Sequence, residues 1–268
     1  MSLGEKILLA LAKRPDQSEL GSTVNYTLDN CLDFVRKTVP GFDQLIASKT
    51  ILDYGCGHGW QAVAMRTRCG ARMVFGLDAV DQHVSFGTTL AQKYGCSDSV
   101  VFGRKVPTEM EGQFDLVLSC SAFEHYRDPE IELQRMRAFA KDGGRIIVTF
   151  AEPWYSHSGS HFTGYTRLPG TNLGVPWLNL LFSDEALLTL RSKFRPDRPK
   201  RLEDIEGGLN RMTVLKFERI INSCGMPVER KQLFATKRIP LVTKIPGVRE
   251  VLTSAASTIL RKGHCTGA

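Results

Sequence analysis

Three groups of residues in this 268-residue chain have types and spacings suited to chemistry. The first is Ile51 to Trp60, ILDYGCGHGW, where an apolar run enters Gly55, Gly57 and Gly59 with Asp53 two residues ahead. Glycine tolerates positive φ and lets a ligand touch the main chain. A helix that starts just beyond offers unpaired N–H groups. A phosphate-cradling P-loop would need a Lys after the last glycine, and none follows. The dinucleotide fingerprint would need a third glycine where Trp60 stands. Asp53 would repel a pyrophosphate and suits an amino or ammonium group instead.

The second group is Asp78 with Ala79, at the end of the apolar VFGLDA and nineteen residues after Gly59 (78 minus 59). An acid at that place accepts both hydroxyls of a ribose. A ribose joined to a cationic amino-acid moiety describes S-adenosyl-L-methionine, which is the expected cofactor.

The third group holds candidate proton acceptors. Glu124 and His125 follow a fourth apolar run, and SHSGSHFTG at 156–164 sets His157 and His161 four apart. A hydroxyl acceptor would call on such a general base, whereas a carbon or sulfur acceptor asks less. His125 could instead cap the next helix or orient its loop, and the other two could be plain polar loop residues. His157, His161 and Glu152 are conceivable metal ligands. No further acid cluster accompanies them, so no metal site is expected. Trp154, Tyr155, Phe162, Tyr165 and Trp177 crowd the same region, either as an acceptor pocket or as a small core under a lid.

These groups need rigid positions. TILDY (50–54), RMVFGLD (72–78), SVVFG (99–103), FDLVLSC (114–120) and RIIVTFA (145–151) are apolar nearly throughout, as strands covered on both faces must be. Helices are predicted over 60–69, 81–94 and 129–140 between them, with Gly70 and Gly95 closing the first two. KDGG at 141–144 is expected to be a turn. Helices over 4–13 and 25–37 precede this array. A proline- and glycine-punctuated stretch, a helix at 184–194 capped by Ser183, a helix at 213–223 and strands near 228–235 and 256–261 follow it. Alternating strands and helices imply parallel pairing with right-handed crossovers, with ligands beyond the carboxyl ends of the strands.

Composition sets outer bounds. Apolar residues make up 42% and charged residues 24%, ordinary for a globular protein that buries its own core. The seven cysteines at 31, 56, 69, 96, 120, 224 and 265 have no C-x-x-C spacing, which excludes a zinc ribbon and favours a reducing compartment. No apolar run approaches a membrane span, ILLALA is too short for a signal-peptide core, and a cytoplasmic location is expected. The net charge of +7 is partly concentrated in RSKFRPDRPKR at 191–201, a solvated face or an anion site.

On these motifs the chain resembles the class I S-adenosylmethionine-dependent methyltransferases. ILDYGCGHGW resembles their first motif, FGLDA the second, and GGRIIVTF their fifth strand. FDLVLSCSAFEHYRDP is similar to the small-molecule branch called methyltransferase type 11. The resemblance is strongest over residues 48–151, and the tail resembles a bacterial subgroup with mostly unassigned acceptors. It implies an α/β fold, a doubly wound, mostly parallel seven-stranded sheet ordered 3-2-1-4-5-7-6. Residues 1–45 would form a helical cap, 46–151 the cofactor core, 152–212 an acceptor-covering insertion, and 213–268 the rest of the sheet. It also implies that Gly55, Gly57 and Gly59 cradle the methionine part and that Asp78 holds the ribose. Ser119 and Cys120 would line the sulfonium region. The stretch after the third strand, VVFGRKVPTEMEG, departs from the family by offering no acid before Glu109, so no adenine residue is assigned.

The expected function is methyl transfer to a small-molecule or glycan-type acceptor, at oxygen. Two rivals share the fold: a nucleic-acid methyltransferase and a non-catalytic cofactor-binding protein. SCSAFEH stands where base-modifying relatives carry N-P-P-[YF] to hold a flipped base, which disfavours nucleic acid.

Overall fold

A computed structural model describes residues 2–15, 26–196, 198–205, 208–236 and 243–263. Its centre is one seven-stranded sheet in the order β3-β2-β1-β4-β5-β7-β6. The strands are β1 (Thr50–Tyr54), β2 (Met73–Leu77), β3 (Val100–Gly103), β4 (Phe114–Cys120), β5 (Ala140–Ala151), β6 (Val228–Ala235) and β7 (Thr253–Arg261). The first five pair in parallel. Strand β7 runs antiparallel to both β5 and β6. Order and directions agree with the sequence expectation.

The helices in chain order are α1 (Leu3–Ala10), α2 (Asp33–Thr38), α3 (Phe42–Ile46), α4 (Trp60–Thr67), α5 (Asp81–Lys93), α6 (Pro129–Phe139), α7 (Leu178–Leu181), α8 (Asp184–Ser192), α9 (Val214–Ser223) and α10 (Val248–Leu252). Alternate residues of each central strand feed two cores. Ile51, Leu116 and Leu118 pack with α2, α3, α4 and α5 on one face. Leu52, Val117 and Val148 pack with α6 and α9 on the other. The strands are buried on both faces, which is why their sequences lack polar alternation.

Three expectations shift. The helix expected over 25–37 is regular only over α2, preceded by turns at 28–32. The first helix stops at Ala10, because the chain then turns to bridge Ala12 to Thr166. Residues 141–144 belong to β5 and bulge within it. Phe114 pairs with Ala140 and Leu116 already with Arg145, so the extra residues loop out around Gly143 at φ 72°.

The region after β5 forms a third core of its own. Trp154, Phe162, Tyr165 and Leu178 are buried there with Leu187 and with Leu8 of α1. The Lys13 N–H donates to Tyr165 O at 2.8 Å and the Arg167 N–H to Leu11 O at 2.9 Å, tying α1 to this roof. Ser183 caps α8 as expected, accepting from the Ala186 N–H. The aromatic cluster foreseen in the sequence is therefore largely structural, with Tyr155 left exposed. Among the described residues, no helix is long and apolar enough to cross a membrane.

Candidate active site

The glycine loop leaves β1 and enters α4, and each glycine answers a different demand. Gly55, Gly57 and Gly59 all sit at positive φ (78°, 53° and 77°). A Cβ on Gly55 would lie 2.7 Å from the Tyr126 hydroxyl and 2.9 Å from Ala122 Cβ. Gly59 forms one wall of a hole shared with Gly76 and Gly87 and filled by the Phe102 ring. A Cβ on any of the three would lie 2.4–2.8 Å from that ring. Gly57 has nothing within 4 Å of its missing Cβ, so here the loop faces open space.

Asp78, just past β2, ties the loop down. Its Oδ2 accepts from the Gly57 N–H at 2.8 Å and its Oδ1 from the Val80 N–H at 3.0 Å, with His83 Nδ1 also 3.0 Å from Oδ1. The rings of His58 and His83 lie 4.4 Å apart, with Phe86 5.1 Å from His58. Ala79 is exposed beside them. Two carboxylate oxygens have about four acceptor positions, so three bonds leave room for a sugar hydroxyl. Replacing Asp78 with Ala should weaken binding of S-adenosylhomocysteine by about 1–3 kcal/mol, through the lost acceptor and the loosened loop. Calorimetry checks this, and an unchanged affinity would remove the ribose role.

Asp53 lies at the end of β1, 1% exposed, and its Oδ2 is buried with no hydrogen-bond partner. Burial, aided by the nearby Asp78 charge, raises its pKa to about 7. An orphaned buried carboxyl oxygen beside an open glycine is the complement of an ammonium group, and it fits the methionine end of the expected cofactor. A cation held there favours the ionised carboxyl. Cofactor binding below about pH 7 should therefore release a proton, and affinity should rise as pH climbs toward 8. Titration calorimetry in buffers of different ionisation enthalpy reads this proton, and Asp53→Asn should abolish it.

Ser119 and Cys120 end β4 on opposite faces. The Ser119 hydroxyl is fully buried and bonded to the Tyr126 hydroxyl at 3.0 Å, while the Tyr126 hydroxyl donates to Tyr54 O at 2.9 Å. Ser119 thus supports the floor beneath Gly55. Cys120 lies on the Asp53 side, where Gln61 Nε2 donates to its sulfur at 3.4 Å and to Cys31 O at 3.0 Å. Burial pushes the Cys120 thiol up to about 12, so it stays neutral.

A second constellation sits where β4 and β5 end. Glu124 is 5% exposed, and its Oε2 is buried without a partner. Burial is the main reason its pKa rises to about 8, with the Glu152 charge adding to it. The His161 and His125 rings stand 5.4 Å apart, and His161 Nε2 lies 3.7 Å from Glu152 Oε2. The His161 side chain is 26% exposed. Burial, with His125 beside it, lowers its pKa to about 3, so its imidazole is neutral and a poor base. His125 Nδ1 is 2.8 Å from the Gly208 carbonyl. A carbonyl only accepts, so Nδ1 carries the proton and Nε2 is the basic nitrogen. His157 is anchored on the roof side, its carbonyl accepting from the Trp177 N–H at 2.7 Å.

Four of the six non-glycine residues at positive φ among the described residues lie in these segments, Ser48 and Arg211 being the others. Ser121, Glu152, His161 and Trp177 have φ between 52° and 60°, a region costly for residues with a Cβ. Ser121 and Glu152 directly follow β4 and β5, and the other two lie in the roof. Strain persists where the surroundings enforce it, which is common at ligand clamps. The roof also holds the buried, unpartnered Ser156 Oγ, Thr163 Oγ1 and Trp177 Nε1. Among the described residues, no group of three or more His, Cys, Asp or Glu is arranged to hold a metal ion.

Comparison with known proteins shows the family. Residues 24–208 match the family described as "Methyltransferase domain". The chain is 30% identical over 106 residues to the ubiquinone biosynthesis O-methyltransferase of Pseudomonas paraeruginosa, covering 39% of this chain and 45% of that protein. It is 31% identical over 109 residues to the protein of the same name from Acinetobacter baumannii, covering 39% and 44%. The aligned stretch thus spans less than half the length of these curated relatives. Among solved structures, an S-adenosylmethionine-dependent methyltransferase from Mesorhizobium loti superposes with a TM-score of 0.55 at 17% identity, over 88% of this chain and 100% of that one. With the family match extending over more than half of its length, the chain belongs to the methyltransferase-domain family, as a class I, type 11-like member whose cofactor is S-adenosyl-L-methionine.

Proposed function

We propose that this chain moves a methyl group onto an oxygen of a small hydroxyl-bearing acceptor seated beside Glu124 under the 152–212 roof. The observation that carries the reading is the buried carboxyl at the end of β4. Its free oxygen and its pKa of about 8 match a base that works near neutrality. The orphaned polar atoms of Ser156, Thr163 and Trp177 suit the further hydroxyls of a phenolic or sugar-like acceptor. The curated relatives are named as O-methyltransferases, which supports oxygen as the acceptor atom.

The cofactor, when bound, supplies a methyl group already activated on a sulfonium centre. Asp78 and Gly57 would hold its ribose side, and Asp53 its ammonium end. What remains for the protein is to align the acceptor, keep water out and take one proton. The roof, pinned to α1, excludes water. Glu124 would take the proton of the acceptor hydroxyl on Oε2, leaving that oxygen free to accept the methyl group as the sulfonium S–C bond gives its electrons to sulfur. His125 and the neutral His161 orient the acceptor from the other side.

The test is transfer of labelled methyl from S-adenosylmethionine, screened against phenols, saccharides and duplex DNA. Label in a base-stable ether of a hydroxyl compound is expected. Label on DNA alone, or none from protein that binds S-adenosylhomocysteine, would overturn the reading.

A further inference from the structure

The outer surface of α1 and α7 is apolar to a degree that the fold does not explain. Leu3 is 75% exposed, Ile7 47%, Leu180 48% and Leu181 63%. Leu3, Ile7 and the exposed Ala10 recur at helical spacing on the face of α1 opposite the buried Leu8. A Cβ on Gly4 would stand 3.7 Å from the Phe182 ring, which brings α1 close to the residue that ends α7, and we take the exposed aliphatics of the two helices together as one ridge.

The flank beyond Leu9 is cationic. A hollow of about 600 Å³ between α1 and α8 is lined by Leu9, Leu188, Lys193 and Arg198, with Glu185 its one carboxylate. Lys6, Arg14, Lys200 and Arg201 are exposed nearby in the chain. Of the six basic residues in 191–201, Arg191 is buried, Arg195 lies against the Tyr165 hydroxyl and Arg201 is ion-paired, so Lys193, Arg198 and Lys200 carry the exposed charge. Asp184 and Glu203 pair with Arg211, outside this stretch, whereas Asp204 takes up the charge of Arg201.

We propose that this ridge and its basic flank form a docking face for an anionic lipid bilayer. Exposed aliphatic side chains bordered by Lys and Arg are the arrangement of helices that lie in a membrane interface. Each basic residue near an anionic leaflet adds attraction, and the leucines supply insertion. A single-stranded nucleic acid would want stacking rings, and the ridge is purely aliphatic. The face lies on the roof side of the molecule, since α1 is hydrogen-bonded to 165–167. Docking would therefore bring the roof, rather than the far side of the sheet, to the lipid surface. The inference does not depend on the acceptor or on turnover.

Flotation or co-sedimentation with vesicles tests it, comparing pure phosphatidylcholine with phosphatidylcholine carrying about one-third phosphatidylglycerol. Two variants are needed: Leu3→Gln with Ile7→Gln, Leu180→Gln and Leu181→Gln, and separately Lys193→Gln with Arg198→Gln and Lys200→Gln. Both must keep the wild-type affinity for S-adenosylhomocysteine as proof of folding. The loop substitutions of the second variant secure the test if the first fails to fold. Wild-type protein should partition to the anionic vesicles, with about tenfold loss in each variant and release as salt rises from about 0.1 to 1 M. Equal binding to both vesicle types, no binding, or variants that bind like wild type would overturn the proposal. So would a wild-type dimer in solution that the leucine variant converts to monomer, since a second copy would then own the face.

Discussion

Glu124→Gln should lower turnover by about 10²–10⁴ while leaving the affinity for S-adenosylhomocysteine within twofold. The substitution keeps shape and polarity at a buried position and removes only the capacity to take a proton. Because the carboxyl has a pKa of about 8, wild-type turnover should rise with pH up to that value and then level, and the variant should lose the inflection. A stability readout separates this from mere damage. The folded pKa of Glu124 lies above its ordinary 4.5, so between those values the folded state holds a proton that the unfolded state releases. Wild-type stability must therefore fall as pH rises from about 4.5 to about 8. Gln carries no such charge, and the variant should show a flatter profile and a higher Tm at pH 8. Full activity in the variant, or a pH–rate profile with no inflection near 8, would move the proton acceptor to His125.

The second large effect lies in the glycine loop, where two neighbouring substitutions should fail for different reasons. Gly59→Ala forces a Cβ to 2.4 Å from the Phe102 ring and 3.1 Å from Gly87 Cα, at a φ of 77°. Strain and overpacking together should cost about 2–5 kcal/mol. At about 2–4 °C per kcal/mol for a chain of this size, Tm should drop by roughly 4–20 °C. Gly57→Ala meets open space at a φ of 53°, so its stability cost should stay near 1 kcal/mol. Its methyl group would instead project into the ligand's place and sharply weaken cofactor binding. Melting curves and calorimetry on the two proteins give the comparison. Equal losses of stability would mean that Gly57 is there for the turn alone.

Much of this was legible in the sequence because it depends on local signals. Strands covered on both faces are written as unbroken apolar runs, and that fixed five of the seven strands and their parallel pairing. Asp53 and Asp78 stand at strand ends, so their place at the sheet edge follows from the strand assignment alone. The glycine that closes α5, Gly95, and the Ser183 cap of α8 are short-range features of the same kind. What escaped depends on contacts between distant residues. The Phe102 plug meets Gly59, Gly76 and Gly87 from other elements, so no spacing rule reveals it. The grouping of Glu124 and His125 with Glu152 and His161 joins positions up to 37 residues apart, and only the roof's path brings them together. The His pair seen as SHSGSHFTG divides in the structure: His161 turns to His125 and Glu152, while the His157 carbonyl accepts from the backbone N–H of Trp177. The family resemblance implied that Ser119 lines the sulfonium region together with Cys120. One register step turns it to the other face of β4, where it bonds to Tyr126.

The most direct measurement is a crystal structure of the chain grown with S-adenosylhomocysteine. Density for the nucleoside should bridge the two acids at the ends of β1 and β2, with the sugar on Asp78, the amino end toward Asp53, and the main chain of Gly57 against the ligand. Density in some other cleft, or an empty sheet edge under saturating ligand, would contradict the assignment of this site and of the acceptor position beside Glu124.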